Sequence, residues 1–286
     1  MIIVSYNIHY AIGKDERYDL ARVVDAVRGA DIIALQEVER FYDSADSPSQ
    51  PEDIAALLPD YYWVYDAAFD IDCSERLDDG RVVNRRRQHG QMLLARWPIL
   101  AKRYFTLPRV RIDTEFNMQM GALEAVIDKP GEPVRVYNVH FGSVSADERR
   151  LQVARLLDLV HNAPVDGGAW TGPNGEYSER DWCVGQDAPP MPVPAIVVGD
   201  FNLEPADAEY EDLCNNTGLT DLWAQFNPDG EVMSWHSNPA RSGPVESARL
   251  DYCMVTEEWR QRAVTCRIDE QANGSDHQPL WAEFTD

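Results

Sequence analysis

The chain has 286 residues, of which 44% are hydrophobic and 26% are charged, so it can bury a sizeable core as one large domain or two small ones. Acidic residues number 49 and basic residues 26, which gives a net charge of −23. This balance argues against a general nucleic-acid coat protein, because non-specific affinity for phosphate backbones needs clustered lysine and arginine. It does not exclude a nuclease whose bound metal supplies local positive charge.

Cysteine usage indicates a reducing compartment, and hydropathy argues against a membrane span. The five cysteines form an odd set without a CxxC pair, which disfavours both a disulfide framework and a zinc knuckle. No stretch approaches the roughly 18 apolar residues of a transmembrane helix, and the chain opens on a strand-like run without a charged leader. We therefore expect a cytoplasmic protein without integral membrane contact. The sequence leaves its oligomeric state open.

Short apolar runs alternate with helical patterns from the start of the chain. Residues 4–8 predict a buried strand, and residues 31–38 predict a second one. Between them lies a helical pattern with Asp19 as N-cap and Gly29 just past its end. This β-α-β opening predicts a sheet covered by helices. Pro51 then predicts the start of a short second helix.

Further strands are predicted at residues 91–95, 122–127, 134–139, 195–198, 250–255 and 280–284. Ser145 and Glu148 form a capping-box pattern that opens a long helix, and a shorter helix is predicted around residue 213. We expect a single domain over residues 1–286, since no linker divides the chain.

Two stretches without clear periodicity, residues 70–90 and 163–194, predict irregular loops inserted at the rim of a site. The second is rich in glycine, proline and tryptophan. The first is a basic island in an acidic protein, with Arg81, Arg85, Arg86 and Arg87.

Polar side chains stand at or near the ends of six predicted strands. In layered α/β proteins, ligand sites form at such strand ends. Each residue alone has an ordinary structural interpretation, such as a solvated carboxylate, a core histidine or a turn-capping amide. Six such endings together predict one site. The residues are Asn7, Glu37, His140, Asp200, Asn202, Asp251, Asp276 and His277.

The residue types of this set indicate a metal-assisted reaction of a phosphate ester. Carboxylates and amides without cysteine ligands favour a hard cation, Mg²⁺ or Mn²⁺, over zinc. Such ions assist phosphoryl transfer by neutralising charge on the phosphate oxygens. A histidine beside a carboxylate can activate water, and the sequence has no nucleophile elbow, Walker loop or GxGxxG motif. The pattern therefore predicts attack by water.

The motifs occur in an order that is known from one family. They are YN with Asn7, QE with Glu37, the strand ending at His140, GDFN at 199–202, RLDY with Asp251 and SDH at 275–277. This set resembles the endonuclease/exonuclease/phosphatase superfamily, which includes pancreatic-type deoxyribonucleases, abasic-site endonucleases, neutral sphingomyelinases and inositol polyphosphate 5-phosphatases. The resemblance spans nearly the whole chain. It implies an α/β fold, a four-layer α/β/β/α sandwich with two central, mostly antiparallel sheets.

The resemblance also implies a metal centre. Glu37 would bind the catalytic divalent ion, with Asn7 and Asp276 nearby. Asp200 and Asn202 would position the attacking water, the phosphate or a second metal.

The same resemblance implies a general base. His277 would accept the proton of water, oriented by Asp251, and His140 would stabilise the pentacovalent phosphate. The sequence departs from the family pattern at His9, where some members carry an acidic metal ligand, and at Gln91, where many have asparagine.

The substrate is less determined than the mechanism. An acidic chain without an overall basic groove favours a small organic phosphate or a phospholipid headgroup over DNA or RNA, and a metal-dependent nuclease is the alternative. A non-catalytic binding protein is disfavoured because the motif residues are intact. Arg85, Arg86 and Arg87 either grip the substrate as a lid or belong to a solvated loop. Trp235 is a candidate substrate contact at the rim.

Overall fold

Two six-stranded sheets form the centre of the protein. The computed structural model describes residues 1–42, 48–172, 181–215, 217–238 and 245–286. The strands are β1 (Ile2–Asn7), β2 (Ile32–Arg40), β3 (Tyr62–Asp72), β4 (Glu75–Arg76), β5 (Val82–Val83), β6 (Arg86–Ala95), β7 (Ile99–Thr106), β8 (Gly121–Ile127), β9 (Val134–His140), β10 (Ala195–Asp200), β11 (Leu219–Asp221), β12 (Trp235–His236), β13 (Ser247–Ala248), β14 (Asp251–Thr256), β15 (Ala263–Ile268) and β16 (Leu280–Phe284). The helices are α1 (Leu20–Val27), α2 (Gln50–Leu57), α3 (Ala146–Asp166), α4 (Ala208–Cys214), α5 (Leu222–Phe226) and α6 (Glu257–Arg262), and a short 3₁₀ turn covers His9–Ala11.

The two sheets have matching topologies. The first has the strand order β15-β16-β1-β2-β6-β3, and the second has the order β11-β14-β10-β9-β8-β7. Only one neighbouring pair in each sheet is parallel, β1 with β2 and β9 with β10. The expected α/β fold with two mostly antiparallel sheets is confirmed.

Three buried clusters divide the molecule into four layers. The inner cluster includes Leu93 of the first sheet and Leu123 of the second, so it lies between the sheets. A second cluster joins the outer face of the first sheet to α1 and α2. A third joins the outer face of the second sheet to α3 and α4. Helices therefore cover both outer faces and leave the strand ends free to form a site.

Residues 70–90 are not the irregular loop that the sequence suggested. The antiparallel pairing of β3 with β6 runs out to Asp72 and Arg86, and β4 pairs with β5 just beyond it. The outer part of this ribbon is mostly exposed on both faces. A strand solvated on both faces lacks the alternation of apolar and polar residues that marks a half-buried strand. The charged residues of this ribbon therefore gave no strand pattern in the sequence.

The segment 163–194 is partly helical. Helix α3 continues to Asp166, past Pro164, and residues 167–172 and 181–194 have no regular structure, as expected. Residues 173–180 lie outside the described residues.

The capping box predicted at the start of α3 forms only in part. Oγ of Ser145 accepts a hydrogen bond from the Glu148 amide (3.3 Å). The Glu148 carboxylate does not return to the cap but accepts from the amide of Val110 (2.7 Å) and from Asn117 (2.8 Å).

Among the described helices, none combines the length and the hydropathy of a membrane span.

Gly199 is required by the close approach of two neighbouring strands. It lies inside β10 with φ +147, and a Cβ there would meet the Val139 carbonyl oxygen of β9 at 2.0 Å. Gly199→Ala is expected to lower the free energy of unfolding by more than about 2 kcal/mol, measured by urea denaturation. Gly131→Ala is the matched control, because Gly131 also has a positive φ (+95) but open space around it. Equal losses in both variants would contradict the steric explanation.

Candidate active site and metal centre

The polar strand ends meet at one edge of the sandwich. The parallel pairs β1–β2 and β9–β10 end there, and the antiparallel β14 begins beside them. A pocket of about 480 Å³ opens at this edge. The predicted site residues that line it are Glu37, His140, Asp200, Asn202, Trp235, Asp276 and His277.

Asn7 and Asp251 are fully buried and do not line this pocket, but each contacts residues that do. Nδ2 of Asn7 donates to Oε1 of Glu37 (3.0 Å) and to Oδ2 of Asp200 (2.9 Å). One amide therefore ties the first sheet to the second and fixes the separation of two carboxylates.

His277 and Asp251 form a buried pair. Nδ1 of His277 lies 2.8 Å from Oδ2 of Asp251, and its Nε2 lies 3.7 Å from Oδ2 of Asp200. Burial alone would lower the pKa of His277, but the charges of Asp251 and Asp200 outweigh it and raise the pKa to about 10. In the protein without a bound cation, this imidazole therefore keeps its proton at neutral pH, held between two carboxylates, and becomes a proton acceptor only when it is neutral.

A tight turn follows β10 and brings Asp200 and Asn202 together. The Asn202 amide donates to Oδ1 of Asp200 (2.9 Å), and its Nδ2 donates to the Phe141 carbonyl (2.9 Å). Asn202 has φ +48, a conformation that asparagine tolerates better than most residues. Burial raises the pKa of Asp200 to about 7, against the opposing charge of His277.

Glu37 sits on a bulge. The register of β2 against β6 shifts between Leu35 and Val38, and Glu37 has φ +58. Burial would raise its pKa, but the adjacent imidazole of His89, then the charge of His140 and donation from Asn7, hold the pKa well below the usual range. Glu37 is therefore ionised.

Sequence reasoning missed His89 and Tyr10. Nε2 of His89 lies 3.9 Å from Oε2 of Glu37, and the His89 and His140 rings are 5.9 Å apart. Tyr10 and His89 also line a groove of about 960 Å³. Tyr10 reaches the site because it has φ +55 within the 3₁₀ turn, which no sequence pattern announces. His89 had one weak signal, an imidazole before Gly90 in a strand beside the QE strand.

The sequence profile of the Endonuclease/Exonuclease/phosphatase family matches residues 4–164 and 171–277. The chain belongs to this family. The match contains every motif from Asn7 to His277. Family members are phosphoric ester hydrolases that typically depend on a divalent metal, so the chain is classed with the phosphohydrolases.

Solved structures share the fold at low sequence identity. An endonuclease/exonuclease/phosphatase from Beutenbergia cavernae DSM 12333 has a TM-score of 0.66 at 20% identity, covering 99% of this chain and 70% of that one. TDP2 of D. rerio, complexed with single-stranded DNA product, has a TM-score of 0.65 at 16% identity over 100% and 99%. A mannosyl-6-phosphatase of Bacteroides thetaiotaomicron VPI-5482 has 0.63 at 15% identity over 100% of both chains. No curated protein is significantly similar in sequence.

The family's metal requirement fits the oxygen atoms of this site. Oε2 of Glu37 is buried and has no hydrogen-bond partner among the described residues, so the ionised carboxylate has a free position for a cation. Asp276 has less to offer, because Oδ2 accepts from Nε1 of Trp235 (3.1 Å) and Oδ1 accepts from Ser275 (3.3 Å). Trp235 thus contacts a proposed metal ligand as well as lining the pocket.

The arginine island is divided between different environments. Arg87 lines the 960 Å³ groove. Arg86 donates to Asp70 (2.7 Å), and Arg85 lies 3.8 Å from Glu75. Neither Arg85 nor Arg86 lines the catalytic pocket. The role of Arg85, Arg86 and Arg87 in substrate binding stays a prediction.

Proposed function

We propose that this family member is a divalent-cation-dependent phosphoesterase in which His277 takes a proton from the attacking water. The observation that carries the proposal is the 2.8 Å contact between the buried Asp251 and Nδ1 of His277, which lines the same pocket as Glu37. When Nδ1–H donates a hydrogen bond to Asp251, the neutral imidazole keeps Nε2 free as an acceptor.

The geometry between the sheets suits water attack. Nε2 of His277 and Oδ2 of Asp200 are 3.7 Å apart, so a water that contacts both would be held by Asp200 while His277 takes its proton. Asn202 and His140 line the same pocket and would contact the phosphate. Burial lowers the pKa of His140 to about 4, so it would act as a neutral hydrogen-bond donor.

Glu37 would hold the catalytic cation, Mg²⁺ or Mn²⁺. Asn7, Asp276, Asp200 and Asn202 are the further proposed oxygen ligands. When bound, the ion would neutralise charge on the phosphate and on the leaving oxygen. Whether or not Asn7 binds the cation, its side-chain amide would set the separation of the Glu37 and Asp200 carboxylates.

We further propose that the substrate is a small organic phosphate or a phospholipid headgroup. In the described part of the chain, Arg87 is the only lysine or arginine that lines either the catalytic pocket or the adjoining groove. With a net charge of −23, this supports exclusion of long polyanions. Metal-dependent cleavage of DNA or RNA is the alternative, favoured by the structural similarity to a protein seen with single-stranded DNA product.

A cytoplasmic location is also part of the proposal. The described ranges contain all five cysteines, and each has a free thiol, which suits a reducing compartment.

A hydrolysis panel tests the proposed function. With Mg²⁺ or Mn²⁺, we expect turnover of bis-p-nitrophenyl phosphate, of inositol phosphates or of sphingomyelin, with supercoiled and single-stranded DNA and RNA untouched. Excess EDTA should abolish the activity, because no described lysine or arginine in the catalytic pocket replaces the charge of the cation. Full activity in EDTA would refute the metal requirement. Efficient cleavage of DNA or RNA, lost in His277→Ala, would instead establish the nuclease alternative.

A further inference from the structure

We propose that Glu37, His89 and His140 form a transition-metal site for an ion of the Zn²⁺ class, overlapping the position of the hard catalytic cation. Each residue offers one ligand atom, and these atoms lie within 4.8 Å of one another. Nε2 of His89 is 3.9 Å from Oε2 of Glu37, and Nε2 of His140 is 3.9 Å from Oε1. The binding part of this proposal does not depend on the proposed hydrolytic function.

Two of the ligand atoms are buried without partners. Nε2 of His89 and Oε2 of Glu37 have no hydrogen-bond partner among the described residues, and their separation is too long for a hydrogen bond between them. The His89 side chain is only 9% exposed. A buried polar atom left unsatisfied destabilises the fold, and coordination of one ion would satisfy both atoms.

The ligand set determines the class of ion. Two imidazole nitrogens and one carboxylate are a ligand set of catalytic zinc, which leaves a fourth position open. At zinc–ligand distances of about 2.0–2.2 Å, tetrahedral ligand atoms stand roughly 3.4 Å apart, so three ligand atoms that lie within 4.8 Å of one another would have to close in around the ion. The sequence favoured a hard cation over zinc because its site residues offered carboxylates and amides without cysteine, and His89 was not among those residues.

The fold holds His89 rigidly against its two partners. His89 lies within β6 between two neighbouring strands, opposite Glu39 of β2 and Phe69 of β3. Its ring contacts those of Tyr10 (centroids 5.7 Å apart) and His140 (5.9 Å). A site built on paired strands is more accurately positioned than one built on loops.

Occupancy by Zn²⁺ would inhibit the proposed reaction, a consequence that rests on the proposed function. The ion would engage Glu37, the main proposed ligand of Mg²⁺, and His140, the proposed phosphate contact. Nitrogen donors and position in the Irving–Williams series favour Zn²⁺ over Mn²⁺ at such a site. Mg²⁺ prefers oxygen ligands, so Zn²⁺ should compete with it at a far lower concentration.

The test is titration of Zn²⁺ alone into the full chain, stripped of metals, by calorimetry at pH 7. Wild type should bind one ion per chain, and His89→Ala should bind it at least about tenfold more weakly, since loss of a direct ligand costs no less than loss of a supporting contact. His89→Gln serves as a second variant with better retained volume. The control is His236→Ala, whose imidazole contacts Oγ of Ser247 and lies outside the cluster. Co²⁺ in place of Zn²⁺ should give the visible bands of tetrahedral coordination, lost in both His89 variants.

Equal Zn²⁺ affinity in wild type and in correctly folded His89 variants would overturn the proposal. Co²⁺ bands typical of thiolate ligation would overturn it too, because they would place the ion on cysteine. Failure of the proposed function looks different, since the hydrolysis panel would be negative while Zn²⁺ binding persisted. Hydrolysis in Mg²⁺ without specific Zn²⁺ binding would leave the function standing and remove this site.

Discussion

Replacing His277 by alanine is expected to lower kcat by roughly 10²–10⁴-fold, the range that general acid–base catalysis contributes. The imidazole is the only group in the described part of the pocket that pairs a buried carboxylate at Nδ1 with a free Nε2 facing Asp200. The measurement is the steady-state rate on the best substrate of the panel. Far-ultraviolet circular dichroism should show an unchanged fold.

Two comparisons make this prediction specific. His277→Ala combined with Asp251→Asn should lose little more than His277→Ala alone, because Asp251 acts through the imidazole and the effects of such a unit are not additive. His161→Ala, on α3, removes an imidazole that contacts the Thr217 carbonyl (2.8 Å) and should leave kcat unchanged. Additive losses in the double variant would show that Asp251 works by a separate route.

The pH dependence follows from the same pair. Only the neutral imidazole accepts a proton, so kcat/KM should rise with pH through the pKa of His277. After burial, which lowers this pKa, the charge of Asp251 has the largest effect and raises it. Asp251→Asn should therefore move the rise to lower pH even as the maximal rate falls. An unmoved midpoint would assign the titration to another group.

The layered fold was predictable because its strands follow ordinary patterns. Strands buried on both faces, such as β10, read as short apolar runs, and α1 reads as an amphipathic helix whose cap Asp19 accepts from the Arg22 amide (3.2 Å). The outer part of β3 and β6 followed neither pattern, since residues on both faces of this ribbon are exposed to water.

The site could be predicted from the sequence where its functional residues lie at strand ends. Asn7, His140 and Asp200 end their strands as expected, and Asp251 begins the antiparallel strand beside them. The placement of the Glu37 side chain in the pocket could not be predicted from the sequence. A two-residue period would send Gln36 and Glu37 to opposite faces, and only the bulge with its positive φ places Glu37 in the pocket.

His89 was missed for a different reason, which lies in tertiary structure. Its importance depends on two unsatisfied atoms meeting across neighbouring strands, Nε2 of His89 and Oε2 of Glu37. Sequence spacing of 52 residues carries no sign of that meeting. Isolated histidines in strands have an ordinary core interpretation until partners, or their absence, can be seen.

Replacing Glu37 by glutamine should remove several kcal/mol of transition-state stabilisation, roughly a 10³-fold loss of kcat/KM in Mg²⁺. Glutamine keeps an Oε1 acceptor for Nδ2 of Asn7, so the hydrogen bond between these two side chains is retained while the negative charge is lost. The matched control is Glu39→Gln, two residues along the same strand and lining the adjoining groove but not the catalytic pocket. It should keep the wild-type Mg²⁺ dependence.

The decisive measurement is the Mg²⁺ concentration that gives half-maximal rate in each variant. Loss of a charged ligand weakens the cation, so Glu37→Gln should require far more Mg²⁺ and stay slow even at saturation. Half-maximal Mg²⁺ unchanged in Glu37→Gln would place the cation elsewhere, on Asp276 or Asp200. In that case the free Oε2 of Glu37 would serve the His89–His140 site alone, and the two proposed metal positions would separate.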